Sequence, residues 1–160
     1  MKIPLSWLRE YVDIDLLPQE LAHRLTMSGT EVGSIDMVGD FWNNVYVGHV
    51  VSVGPHPNAD RLLLATVSLG QEEITVVCGA PNVTQGQRVP FAKVGARLID
   101  ANTGQTETLK AAKIRGVESA GMVCSERELG LGNDHSGIVV LADDAPIGTP
   151  LAEYLGDSIF

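Results

Sequence analysis

The sequence predicts a mostly β protein with a short helical preface, and three observations lead there. From Asn44 onward, brief apolar runs recur between clusters of Gly, Pro and Asn. Before that point, apolar residues fall three and four apart, the spacing of a helix face. Nowhere does the chain approach the roughly 20 consecutive apolar residues that a membrane-spanning helix needs.

The preface comes first. In "PLSWLREYV", Leu5, Leu8 and Val12 share a helical face, which Trp7 and Tyr11 widen as an i, i+4 pair. "LLPQELAHRLTMSG" predicts a second helix, with Pro18 in the first turn, Gln19 and Glu20 at the positive end, and Gly29 at the stop. "TEVGSIDMVG" alternates loosely enough through Val32, Ile35 and Met37 to be a strand. A unit this small buries little surface alone and is expected to pack on something else. It is assigned to residues 1–38, with a return of the chain at 150–160.

Residues 39–149 form the second expected domain. "NVYVGHVVSVGPH" alternates, with Gly48 as a bend or bulge. "RLLLATVSLG", "EITVVCG", "RVPFAKVGARL", "LKAAKIRG", "SAGMVCS" and "GIVVL" follow as short strands, and "ERELGLGNDHS" interrupts them as a short helix or turn. Five or more short strands with one small break before the last predict a closed Greek-key β-barrel of the oligonucleotide/oligosaccharide-binding (OB) type, whose closure removes open edges. A β-sandwich is the alternative.

"HPNAD", residues 56–60, falls between the first two strands of that barrel. Pro57 fixes its own φ and drives His56 to an extended conformation. Asn58 and Asp60 carry side chains suited to bonding nearby backbone amides in a tight turn. A structural corner is expected, ahead of a catalytic, metal or ligand-contacting role.

Charge narrows the function. The net charge is −9, which argues against a protein that coats nucleic acid. Yet Arg88 to Arg115 carries six basic residues against Asp100 and Glu107, a local +4, and any polyanion contact is expected there. Lys113 and Arg115, taken as strand residues, would share one face, with Ala112 and Ile114 on the other. Tyr46 and Phe91 are the only aromatics between Val45 and Leu141, a poor supply for stacking unpaired bases. Contact with the backbone of structured RNA fits better.

Other chemistry finds little support. The two cysteines, Cys78 and Cys124, lie in apolar runs and are expected as buried reduced thiols. The four histidines and two cysteines make no metal-ligand spacing, so no metal site is expected. No nucleotide-binding glycine motif is present, and Ser119 or Ser125 could join a hydrolytic triad only without a nucleophile elbow. Pro4, Ser6, Arg9 and Glu10 interrupt what a signal peptide would need, and a cytoplasmic location is expected.

Taken together, "HPNADRLLLATVSLG", "VVCGAPNV", "GQRVPFAKVGARL", "KAAKIRGVESAGMVCSERELGL" and "GIVVLADDAPIGTPLAEYL" resemble the tRNA-binding OB domain of several synthetases and free-standing tRNA-binding proteins. "MKIPLSWLREYVDIDLLPQELAHRLTMSGTEV" resembles the N-terminus of the β subunits of bacterial phenylalanyl-tRNA synthetases. The resemblance implies a non-catalytic tRNA-binding segment at the head of a longer subunit. It also implies an α2β2 enzyme whose α subunit and remaining β subunit carry the chemistry with ATP and magnesium. "LAEYLGDSIF", which opens a helix and stops on Ile159 and Phe160, fits a segment of something longer. On the same resemblance the residues that meet tRNA are Arg61, Arg88, Lys93, Lys110, Lys113 and Arg115. Free-standing relatives carry a basic face, whereas this segment is net negative. The rival expectation is therefore an architectural OB module with little tRNA affinity of its own.

Overall fold

The computed structural model describes residues 1–160 and divides into two compact units. The first comprises Met1–Asp40 with Leu155–Phe160, and the second Phe41–Tyr154.

In the first unit, helix α1 spans Leu5–Arg9 and helix α2 spans Pro18–Met27. Pro18 occupies the first turn of α2, where its missing N–H costs nothing, and Glu20 sits at the positive end. Strand β1 (Asp36–Val38) pairs antiparallel with the final strand, Asp157–Ile159, numbered β11 below. The two ends of the chain join the same arrangement, since Ile3 and Phe160 exchange backbone hydrogen bonds of 2.9 and 3.0 Å. No side chain of its own caps α1; the carboxylate of Asp157 instead accepts from the Ser6 amide and hydroxyl.

The expected apolar face of α1 is not buried as a face. The helix ends after five residues, and only Leu5 goes inside. Trp7 and Tyr11 remain 61% and 84% exposed, and Val12 and Leu17 are exposed with them. A helix of little more than one turn cannot carry a two-turn stripe into a core.

The second unit is built on a five-stranded antiparallel sheet. Its members are β2 (Val45–His56), β3 (Ala59–Ser68), β4 (Glu73–Cys78), β5 (Arg88–Lys93) and β10 (Gly121–Val123), in the order β10-β5-β2-β3-β4. Two shorter hairpin pairings accompany it, β6 (Arg97–Ile99) with β7 (Thr106–Thr108) and β8 (Ala112–Ile114) with β9 (Val117–Ser119). Helix α3 (Leu151–Leu155) follows, and then β11.

Alternation along the long strands explains the core. Val50 of β2, Ala65 and Val67 of β3, Val76 and Cys78 of β4, and Val89 and Phe91 of β5 all lie on the inner side, while Val45 and Val47, equally buried, point to the other face of the sheet beside Ala92 and Pro90. Val83, Val123 and Ile138 complete that cluster. The sheet is an open ladder: β4 and β10 are its two edges. Near those edges the buried hydroxyl of Ser119 accepts from the Val77 amide at 3.1 Å and donates to the Gly121 carbonyl at 3.3 Å. Both hydrogen-bonding roles of Ser119 are therefore spent on backbone.

Two local expectations need correction, and a third resolves to one of its two forms, the turn. Gly48 is not a bulge: it pairs in register with Val89, and the shifts in β2 fall between Val50 and Ser52 and between Pro55 and His56. A Cβ at Gly48 would collide with the Val67 side chain and approach Phe91 Cβ to 3.3 Å, so the position is small for reasons of space. "GIVVL" is not a strand of the sheet; it contributes one bridge, Leu141 to Arg88, and an amide bond from Val139 to Cys124. "ERELGLGNDHS" is a succession of turns, held by the Leu131 amide on the Glu126 carbonyl and by the Glu128 carboxylate on the Ser125 amide.

Candidate nucleic-acid interface

The β2–β3 connection is "HPNAD", and it is a corner. Pro57 and Asn58 form the two-residue link between His56 and its partner Ala59. The expected turn chemistry is not the one used. His56 Nδ1 accepts from the Asn58 amide at 3.0 Å, while the Asn58 side chain reaches elsewhere.

It reaches the tip of the β8–β9 hairpin. Asn58 Nδ2 donates to the Arg115 carbonyl at 2.9 Å, and His56 Nε2 lies 3.0 Å from the Ile114 carbonyl. A carbonyl only accepts, so Nε2 carries the hydrogen and Nδ1 is left free to accept. The ring is 5% exposed, and each of its nitrogens has a partner.

The hairpin tip itself has unusual backbone. Ile114 pairs with Val117, leaving Arg115 and Gly116 as the two-residue turn, with φ of 51° and 87°. Both residues at positive φ is the pattern of a type I′ hairpin turn. Glycine adopts it freely, but arginine does not. Arg115 therefore stands in the turn, outside the strand's alternation, and the expectation that it shares a pleated face with Lys113 is corrected. Lys113 is on β8, directly opposite Glu118 of β9.

Of the six candidate cations, the structure brings three to this pair of joined tips. Arg61 lies two residues into β3 from the corner, Arg115 is the hairpin turn, and Lys113 is two residues before it. All three side chains are exposed, and none belongs to an ion pair.

The other three are placed differently. Lys93 ends β5 beside the Val45 end of β2, the end far from the corner, and its ammonium is paired with Glu72. β2 runs 12 residues between those ends, about 35 Å along the strand. Arg88 is half-buried and its Nε is enclosed without a hydrogen-bond partner. Lys110 is exposed and lines an open cavity of about 790 Å³ with Leu98, Ile99, Asp100 and Glu128. The single basic face expected of Arg88 through Arg115 is thus divided, and Arg61, from outside that window, joins part of it.

Elsewhere the titratable groups serve the fold. Amides of Thr103 and Asn102 donate to Asp100 at 2.7 and 2.8 Å and hold its carboxyl below the usual carboxylate range. Ser136 does the same to Asp134 through its hydroxyl and amide. Burial pushes the Cys78 and Cys124 thiols up. The residues sequence reasoning passed over are His56 and Asn58 as clamps on a distant turn. The available signal was "IRGV", in which glycine follows one residue between two strand-like ends.

An antiparallel β module presenting unpaired cations from two joined hairpin tips has a surface suited to contacting a polyanion. The match to known proteins is more specific. Residues 45–150 match the model of the putative tRNA binding domain, and the chain belongs to that family. It is 56% identical over 159 residues to the phenylalanine–tRNA ligase beta subunit of Dehalococcoides mccartyi, covering 99% of this chain and 20% of that protein. It is 50% identical over 161 residues to the corresponding subunit of Salinibacter ruber, covering 97% and 19%. The chain thus spans about one fifth of the length of the curated relatives it matches. Among solved structures, a MetRS-related protein from Pyrococcus horikoshii is 24% identical with a TM-score of 0.46, over 66% of this chain and 85% of that one. That likeness is too loose to assign topology.

Proposed function

We propose that the chain is the N-terminal, tRNA-binding segment of a phenylalanine–tRNA ligase β subunit, and that it holds tRNA by its phosphate backbone. The observation that carries this reading is the family match over the very residues that bring Arg61, Lys113 and Arg115 to joined tips. Guanidinium groups offer forked donors to phosphate oxygens, and the lysine adds a point charge. Arg88, Lys93 and Lys110 take a lesser part, since one is half-buried, one is paired and one sits at a separate cavity.

Ser119, bonded both to Val77 of edge strand β4 and to Gly121 of edge strand β10, draws the two edges of the ladder together and supports an OB-type Greek-key barrel for residues 39–149. Pairing of β1 with β11 supports a separate module of 1–38 with the return at 150–160. Within the whole enzyme, the partners are the α subunit and the rest of the β subunit, in an α2β2 assembly in the cytoplasm. The relatives' greater length supports a remainder of the β subunit, to which the exposed Trp7, Tyr11 and Val12 offer an apolar surface. ATP and magnesium are assigned to the remainder of the enzyme, a reading supported by the relatives' name as phenylalanine–tRNA ligase subunits of which this chain spans about one fifth.

The test is titration of the chain with tRNA at two salt concentrations. Micromolar binding that weakens steeply with salt is expected. No saturable binding at low salt would overturn the proposal in favour of a purely architectural module.

A further inference from the structure

We infer that the His56–Asn58 corner is a positioning device for RNA contact, acting through Arg115; this rests on the tRNA-binding reading above. The β8–β9 hairpin has three residues on each side of its turn, and so short a pairing has little stability of its own. Its turn also demands positive φ of an arginine, whose side chain gives no local compensation of the kind Asn or Asp offers. Something outside the hairpin must hold it.

The corner supplies that hold. Two consecutive carbonyls, those of Ile114 and Arg115, are each gripped by a side chain from residues 56 and 58. The grip fixes the plane of the peptide on either side of Arg115, and so the direction in which the exposed guanidinium leaves the turn. Because the same corner opens β3, it also ties the turn that carries Arg115 to the strand that carries Arg61. Asn58 Nδ2 lies 3.4 Å from where a Cβ would stand on Gly116, so the tips fit closely as well as hydrogen-bonding. Asp60 and Glu118 are the exposed carboxylates on these elements, and neither is in an ion pair that would neutralise the cations.

A held arginine loses less freedom on binding than a mobile one, so releasing the turn should weaken tRNA binding about 3- to 10-fold. The experiment is a double-mutant cycle in the 160-residue chain, comparing wild type, Asn58→Ala, Arg115→Ala and the double variant for tRNA affinity at fixed low salt. Asn58→Asp, which keeps size but offers the Arg115 carbonyl no donor, repeats the cycle, and thermal melts accompany each variant. Loss from Asn58→Ala when Arg115 is present, with little loss when it is absent, is the expected result. Loss of equal size in both backgrounds, or none in either, overturns the positioning role and leaves the tRNA reading standing. If Arg115→Ala itself binds as tightly as wild type, the positioning role and Arg115's place in the interface both fall.

Discussion

Replacing Arg61, Lys113 and Arg115 together with alanine should remove most of the salt dependence of tRNA binding. The magnitude follows from the count. Each phosphate neutralised releases condensed counterions and adds roughly 0.7 to 0.9 to the slope of log affinity against log salt. Three unpaired cations give a slope of about −2.1 to −2.7, so raising salt from about 50 to about 200 mM should cost the wild type roughly 20- to 40-fold. Lys93, already neutralised by Glu72, should add little to that slope. The assay is fluorescence anisotropy with labelled tRNA across a salt series, on the wild type, the triple variant and Lys93→Ala. A triple variant with the wild-type slope would refute the reasoning, as would Lys93→Ala removing as much slope as the three together.

Other outcomes test the fold around the interface. Gly48→Ala must displace the Val67 side chain in a filled core, and about 1 to 3 kcal/mol of destabilisation is expected in urea unfolding; an unchanged midpoint would contradict the packing. Both thiols are pushed up by burial, so a thiol reagent at neutral pH should label native protein slowly and unfolded protein fully; rapid native labelling of Cys124 would contradict its burial. Asp100 is held below the ordinary carboxylate range by two amides, so its contribution to stability is full above that range and fades as pH falls through the lowered value. The stability gap between wild type and Asp100→Ala, measured by denaturant unfolding, should therefore be widest near neutrality and close in strong acid; a gap that does not narrow would contradict this.

The sequence made the long strands easy to read and the site hard. "RLLLATVSLG" and "EITVVCG" became β3 and β4 because alternation and bounding glycines report a local preference directly. "GIVVL" shows the same local preference but contributes only a bridge, since pairing depends on which neighbour has a free edge. Gly48 looked like a bulge because sequence cannot show Val67 pressing from the next strand. The corner at 56–60 was legible from Pro57 alone. Its second task was not: His56 and Ile114 are 58 residues apart in the chain, and nothing local records that their tips meet. Arg115 was misplaced for a related reason, because strand alternation was carried one residue into a turn that Gly116 had marked. Lys93 looked as available as Lys113, since only the fold brings Glu72 to it.

The most direct measurement is a map of backbone amide shifts in isotope-labelled protein as tRNA is added at low salt. Perturbations concentrated at Asn58, Arg61 and Lys113 through Gly116 are the expected result. Saturable binding that leaves those amides still, and moves those around Lys93 or Lys110 instead, would contradict the claim that the joined hairpin tips hold the RNA.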